Sequence, residues 1–167
     1  VYGLAADATN RDAVAKVFAA KGRPMDNPLI VHISSMEELE QAVSRVPELV
    51  ASLADAFWPG PLTMIMPKSE RIPMETSGGL DTVGVRMPSH PVAQALIRTA
   101  GVPIAAPSAN RSGYPSPTTA QHVLADMQGR IPAILDGGAC SCGLESTVVT
   151  FDDDRTVRIL RPGFVTK

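Results

Sequence analysis

Apolar and polar positions alternate along this chain in two periods. Residues 10–20 carry Ala13, Val14, Val17 and Phe18 on one face at helical spacing, with Asn10 placed to cap the first turn. Residues 29–33 (LIVHI) form a short apolar run that reads as a buried strand. Ser35 is positioned to cap a following helix, whose first turn would hold Glu37 and Glu38 where the helix dipole favours negative charge. A further helix is predicted from Pro47 to about Phe57, ending before Pro59.

Strands are predicted at residues 62–66, 82–87 and 103–106, with a helix over 91–99 that ends near Gly101. A polar loop over 107–117 leads to a helix capped by Thr118 or Thr119 and carrying His122, Val123 and Met127. Residues 133–135 read as a strand running into Gly137-Gly138. The last unit reads as a hairpin, residues 147–151 and 156–160, turning through Asp152-Asp153-Asp154. Helices and strands alternate first and an antiparallel pair closes the chain. This order predicts an α/β fold, a twisted sheet of mixed parallel and antiparallel strands with flanking helices.

Composition narrows the class. The 167 residues are 44% apolar and 19% charged, enough for one domain with a sizeable core. No apolar run approaches the roughly 20 residues of a membrane-spanning helix. The 15 prolines and 13 glycines lie scattered between periodic segments, marking many short connections. A net charge of −2 gives no global attraction to nucleic acid, so an RNA contact would need a local basic patch. The two cysteines, Cys140 and Cys142, form no disulfide framework or zinc motif, and such sparse use fits a reducing cytoplasm.

Three polar loops interrupt the apolar strands. Lys21-Gly22-Arg23-Pro24 sets two cations around a glycine, which suits a phosphate as well as a helix C-terminus capped by Gly22. Pro107-Ser108-Ala109-Asn110-Arg111-Ser112-Gly113 follows a predicted strand, where open sheets bind ligands, but equally reads as a Ser/Asn turn. Gly143-Leu144-Glu145-Ser146-Thr147 leads into the hairpin and lacks the Gly-x-Ser-x-Gly pattern of a nucleophile elbow. On spacing alone His32 reads as a core histidine, His90 as a loop residue and His122 as an exposed helix residue. Neither a Walker loop nor Gly-x-Gly-x-x-Gly occurs, which removes the commoner phosphate cradles.

Seven segments in order carry a family resemblance. They are Val1-Tyr2-Gly3-Leu4; Lys21-Gly22-Arg23-Pro24 with Asn27-Pro28-Leu29-Ile30-Val31-His32-Ile33; Phe57-Trp58-Pro59-Gly60-Pro61-Leu62-Thr63; Thr82-Val83-Gly84-Val85-Arg86; Ala106-Pro107-Ser108-Ala109-Asn110; Glu145-Ser146-Thr147-Val148-Val149; and Leu160-Arg161-Pro162-Gly163. Together they resemble the YrdC-like threonylcarbamoyl-AMP synthases over nearly the whole chain. The resemblance implies a YrdC-like fold with a concave ligand pocket, and a catalytic tetrad of Lys21, Arg23, Ser108 and Asn110. It implies ATP contacts from Arg23, Asn27, Thr82, Ser108, Ser116 and Arg161. Threonine contacts would come from His32, Arg86, Ala106 and Ser146, with Arg86 on the carboxylate, which reverses the core reading of His32.

The implied reaction joins L-threonine, bicarbonate and ATP, with Mg²⁺ on the phosphates and no metal held by protein ligands. Its product would pass to a threonylcarbamoyl transferase complex that modifies tRNA. Residues 1–167 are then expected to be a single catalytic domain that lacks its first strand, with a further C-terminal domain beyond it. A threonine that the family carries just before the position of Val1 would be missing from the amino-acid pocket. Two other readings compete: a carbamoyl-transfer module of a hydrogenase-maturation protein, and a non-catalytic module binding RNA, double-stranded RNA included. In the latter, Lys21, Arg23, Arg86, Arg111 and Arg161 would line a basic face.

Overall fold

The computed structural model describes residues 1–166, and its elements follow the predicted alternation. They are β1 (Ala6–Asp7), α1 (Arg11–Lys21), β2 (Ile30–His32), a 3₁₀ turn (Met36–Glu38), α2 (Leu39–Ala42), α3 (Leu49–Phe57), β3 (Leu62–Pro67), α4 (Met74–Ser77), β4 (Thr82–Arg86), α5 (Pro91–Ala100), β5 (Ile104–Ala105), α6 (Ala120–Met127), β6 (Thr147–Asp153) and β7 (Thr156–Arg161). Seven strands form one sheet in the order β1-β5-β2-β4-β3-β6-β7. The β2–β4 and β3–β6 pairs are parallel and the other pairs antiparallel, so the sheet is mixed as expected. Among the described residues no helix is long and apolar enough to cross a membrane.

Strand periodicity divides the sheet into two unlike faces. Val31, Met64, Met66, Val83, Val85 and Val149 are buried and join one core with Val14, Phe18, Val50, Val123 and Met127 from the helices. Their neighbours along the strands, Ile30 and His32 in β2 and Thr82, Gly84 and Arg86 in β4, are only half-buried. The register sets Ile30 against Gly84 and His32 against Arg86, so these residues share the second face. One face therefore holds the fold together while the other stays partly open.

Local chemistry explains most of the helix ends. Asn10 caps α1 by accepting from the Asp12 and Ala13 amides, and Gly22 ends it in the left-handed conformation at φ 62°. Thr119, of the two candidates, caps α6 by accepting from the His122 amide at 3.2 Å. His90 is more than a loop residue: its Nδ1 accepts from the Val92 amide at 3.2 Å and caps α5.

Three expectations change. Ser35 does not cap a regular helix. Glu38 reaches back to the Ser34 amide (2.6 Å) and hydroxyl (2.7 Å), leaving a 3₁₀ turn and one turn of α-helix. Residues 133–135 form no strand: they pair with no strand of the sheet, and Ala133 and Leu135 face solvent. The following Gly137 and Gly138 are held instead by Tyr2, whose hydroxyl accepts from the Gly137 amide (3.0 Å) and lies 2.7 Å from the Gly138 carbonyl. The final turn is tighter than expected: Asp152 and Asp153 belong to β6, and the chain reverses at Asp154-Arg155. Asp153 makes that possible by accepting from the Arg155 amide and the Thr156 hydroxyl.

Candidate functional site

The site begins at the C-terminal end of α1. The helix-end reading of this segment holds, with Gly22 capping α1, while the Lys21 side chain turns inward and is buried. Its Nζ donates to the Asn110 carbonyl at 2.7 Å and to the Ser108 carbonyl. Two of its three donors are thus spent on the polar loop after β5, which the Ser112 amide also ties to the Lys21 carbonyl at 3.0 Å. Burial, then the neighbouring Arg23, lowers the Lys21 pKa to about 8 despite the opposing pull of Asp126 and Glu145. Arg23 is also lowered, by burial first, and its Nε has no partner.

Asn110 is held in one orientation. Its Nδ2 donates to the carbonyls of Arg111 (2.8 Å) and Tyr114 (2.7 Å), which leaves Oδ1 buried and unpaired. The chain start braces the same loop: Gly3 bridges to Ser108, and the Leu4 amide donates to the Pro107 carbonyl at 2.8 Å. Ala106 lies half-buried at the head of this loop, its amide bonded to the Ile30 carbonyl at 3.0 Å.

On the open sheet face, His32 and Arg86 are register partners. Arg86 donates from Nε to the Gly60 carbonyl at 2.9 Å, inside the Trp58-Pro59-Gly60-Pro61 turn. Burial lowers its pKa, and the nearby Arg161 adds to the shift. His32 is pushed down to about 4 by burial and then by Arg86, so its ring is neutral near pH 7, and its Nδ1 has no partner. The buried hydroxyls of Thr63 and Ser146 share a hydrogen bond of 2.8 Å. Arg161 reaches Ser146 from the other side, donating through Nη2 to its carbonyl (2.8 Å) and hydroxyl (3.2 Å). The second nitrogen of Arg161 pairs with Glu145 at 2.8 Å, and Ser116 donates to the same carboxylate at 3.2 Å.

Two of the predicted residues stand apart. Asn27 is exposed on the approach to β2, and Thr82 is half-buried at the start of β4. Both lie at the N-terminal end of the β2–β4 pair, whereas His32 and Arg86 lie at its C-terminal end. Thr82 faces the same side as Arg86, four residues and roughly 13 Å along the strand. Among the described residues no hydrogen bond links Asn27 or Thr82 to the cluster.

Sequence reasoning missed four contributors. Thr63 and Glu145 were quoted in signatures without a role, although both touch assigned residues. Gly84 forms the floor between Thr82 and Arg86, where a Cβ would come within 3.1 Å of Thr63 Cγ2. The fourth is Tyr114, whose exposed ring carries the Arg111 guanidinium 4.4 Å above its centroid. Spacing could not announce the first three, because their contacts join segments far apart in sequence; the Arg111–Tyr114 contact is local but lies in an irregular loop without periodicity.

Chemically, the arrangement is cationic, which suits an anionic group. Four cations, Lys21, Arg23, Arg86 and Arg161, come from three segments, and the Glu145 carboxylate is paired with Arg161 among them. Three of the four buried, unpaired polar side-chain atoms belong to candidate residues: Arg23 Nε, His32 Nδ1 and Asn110 Oδ1. Orphaned groups of this kind are uncommon away from ligand sites. Among the described residues no three His, Cys, Asp or Glu side chains gather as a metal would require. Cys140 and Cys142 are free and half-buried. A concavity of about 670 Å³ between α3 and the β6–β7 hairpin, lined by Leu53, Phe57, Val157, Ile159 and others, includes none of the candidate residues.

Fold and site together define an α/β domain with a half-open sheet face that gathers cations and uncharged hydroxyl and amide groups. The Sua5/YciO/YrdC family, described as "Telomere recombination", matches residues 1–163, and the chain belongs to that family. It is similar to the threonylcarbamoyl-AMP synthase of Bacillus subtilis, 55% identical over 168 residues that cover the whole chain and 48% of that relative. The Pyrococcus abyssi threonylcarbamoyl-AMP synthase is likewise 55% identical, over 98% of this chain and 48% of its own length. The solved structure of P. abyssi Sua5 complexed with L-threonine superposes with a TM-score of 0.94 at 54% identity, covering 98% of this chain and 48% of that one. The chain therefore spans about half the length of the curated relatives it matches.

Proposed function

We propose that this chain is the catalytic domain of a threonylcarbamoyl-AMP synthase, using L-threonine, bicarbonate and ATP. The observation that carries this reading is the site's composition: His32 and Arg86 are register partners on the open sheet face, and Arg161, close enough to shift Arg86, bonds Ser146 and shares the Glu145 carboxylate with Ser116. The fold is that of a Sua5 protein complexed with L-threonine, which supports threonine as the amino acid. The relatives' names support the reaction, and they favour neither a non-catalytic RNA-binding module nor a carbamoyl-transfer module.

In this reading the threonine amine adds to bicarbonate, loses water and becomes a carbamate. A carbamate oxygen attacks the α-phosphorus of ATP, the bond to the β-phosphate oxygen breaks, and pyrophosphate leaves with that electron pair. The protein needs no nucleophile of its own; its work is positioning and charge neutralisation. Arg86 pairs the threonine carboxylate, and neutral His32 and Ser146 orient the rest of the amino acid. Arg23, Ser108 and Asn110 face the reacting phosphate and carbonyl, while Lys21 fixes the loop that carries Ser108 and Asn110. Asn27, Thr82, Ser116 and Arg161 hold the nucleotide, and Ala106 lines the amino-acid pocket. Mg²⁺ would ride on the phosphate oxygens and neutralise their charge. The product would supply a transferase complex that threonylcarbamoylates tRNA in the cytoplasm.

Pyrophosphate release from ATP tests the reading directly. Release is expected only when threonine and bicarbonate are both present. Release independent of threonine, or none at all, would sink it.

A further inference from the structure

One side chain of the site has no place in the chemistry above. Among the described residues Glu145 is the carboxylate ion-paired with a cation of the cluster, and it makes the contacts that a ligand phosphate would make. Its two oxygens take Arg161 Nη1 at 2.8 Å and the Ser116 hydroxyl at 3.2 Å. Both donors belong to the set assigned to the nucleotide.

A positioning role for Glu145 is the obvious alternative, and the geometry argues against it. Arg161 is already anchored without Glu145, because its other nitrogen donates to the Ser146 carbonyl and hydroxyl. The main chain at Glu145 is fixed separately: its carbonyl accepts from the Phe164 amide at 3.1 Å, and Gly163 packs so closely that a Cβ there would lie 2.6 Å from that carbonyl oxygen. Only the side chain is free to move. The pair is also well solvated, with 43% of the Arg161 and 45% of the Glu145 side chain exposed. Such pairs hold weakly, and a polyanion with several charged oxygens outcompetes a single carboxylate for the same donors.

We infer that Glu145 is a built-in stand-in for a ligand phosphate, occupying Arg161 and Ser116 in the free protein and displaced when a polyanion binds. It offsets the mutual repulsion of the cations while the site is empty. It also weakens nucleotide binding and so speeds departure of the nucleotide product. This inference rests on the nucleotide reading for its biological ligand, but the anion exchange itself does not require turnover.

The test measures binding of inorganic tripolyphosphate, and separately of ATP, by calorimetry at low salt. Glu145→Gln and Glu145→Ala should both bind tripolyphosphate about two- to fivefold more tightly than the unaltered chain, the range expected for releasing one exposed ion pair. The gain should shrink as salt screens the site. Thermal midpoints should stay close to that of the unaltered chain, since Glu145 is exposed. Unchanged or weaker binding in Glu145→Gln overturns the inference, as does failure of the unaltered chain to bind tripolyphosphate. Tighter binding without threonine-dependent pyrophosphate release leaves the stand-in in place and removes the proposed reaction. Normal turnover without tighter binding removes the stand-in alone.

Discussion

His32 shows how burial sets chemistry at a single residue. Its strand lies between β4 and β5, with His32 in register with Arg86 and Ile104, and the loss of water together with the Arg86 charge holds its pKa at about 4, against 6.5 for a free imidazole. As pH falls through 6.5 the unfolded chain takes up a proton that the folded protein still refuses. His32 therefore removes stability between pH 6.5 and pH 4, below which both states are protonated. Ring signals followed by NMR should titrate near 4, and His32→Gln should flatten the acid slope of the unfolding free energy. A ring that titrates near 6.5 would contradict the burial. Nothing in the run LIVHI distinguished this from an ordinary core histidine; the difference lies in Nδ1, which the fold leaves unpaired.

At the scale of an element, β4 combines two tasks that its sequence displays plainly once the strand is known. Val83 and Val85 enter the core, while Thr82, Gly84 and Arg86 line the open face. The alternation was legible, and so was the strand. Gly84 was not, because a glycine inside a strand has meaning only through what approaches it. A Cβ at Gly84 would meet Thr63 Cγ2 at 3.1 Å and approach Ile30 and Ile65 at 3.8 and 3.9 Å. Gly84→Val is expected to cost about 1–3 kcal/mol by overpacking and to lower threonine-dependent turnover at least tenfold by raising the floor of the face. Gly84→Ala should show a smaller effect in the same direction. Denaturant midpoints and pyrophosphate release measure the two separately, and full turnover in Gly84→Val would exclude the floor role. Residues 133–135 make the opposite case: apolar residues without a pairing partner formed no strand.

For the whole molecule, distant segments meet because the sheet order differs from the chain order. β5 enters between β1 and β2, and β6 joins parallel to β3, so loops far apart in sequence close over one face. Lys21 is a principal tie: it joins the end of α1 to a loop 87 and 89 residues later. Lys21→Met keeps the length of the side chain but removes its donors, leaving the Ser108 and Asn110 carbonyls without this partner. A loss of about 1–3 kcal/mol in unfolding free energy is expected, together with loss of turnover as the loop releases Ser108 and Asn110. Chemical denaturation checks the first, and undiminished stability would show that the tie is dispensable.

The chain by itself determined the α/β class, most helices and strands, the closing hairpin and, through seven ordered segments, the family. These are local quantities, set by side-chain period, caps and turn residues that act within a few positions of one another. Only the tertiary structure decided which face of the sheet stays open, that Lys21 ties down the loop after β5, and that Glu145 sits among the cations. Those depend on strand order and on contacts between segments well separated in sequence, up to 89 residues for Lys21, for which a single sequence carries no periodic signal.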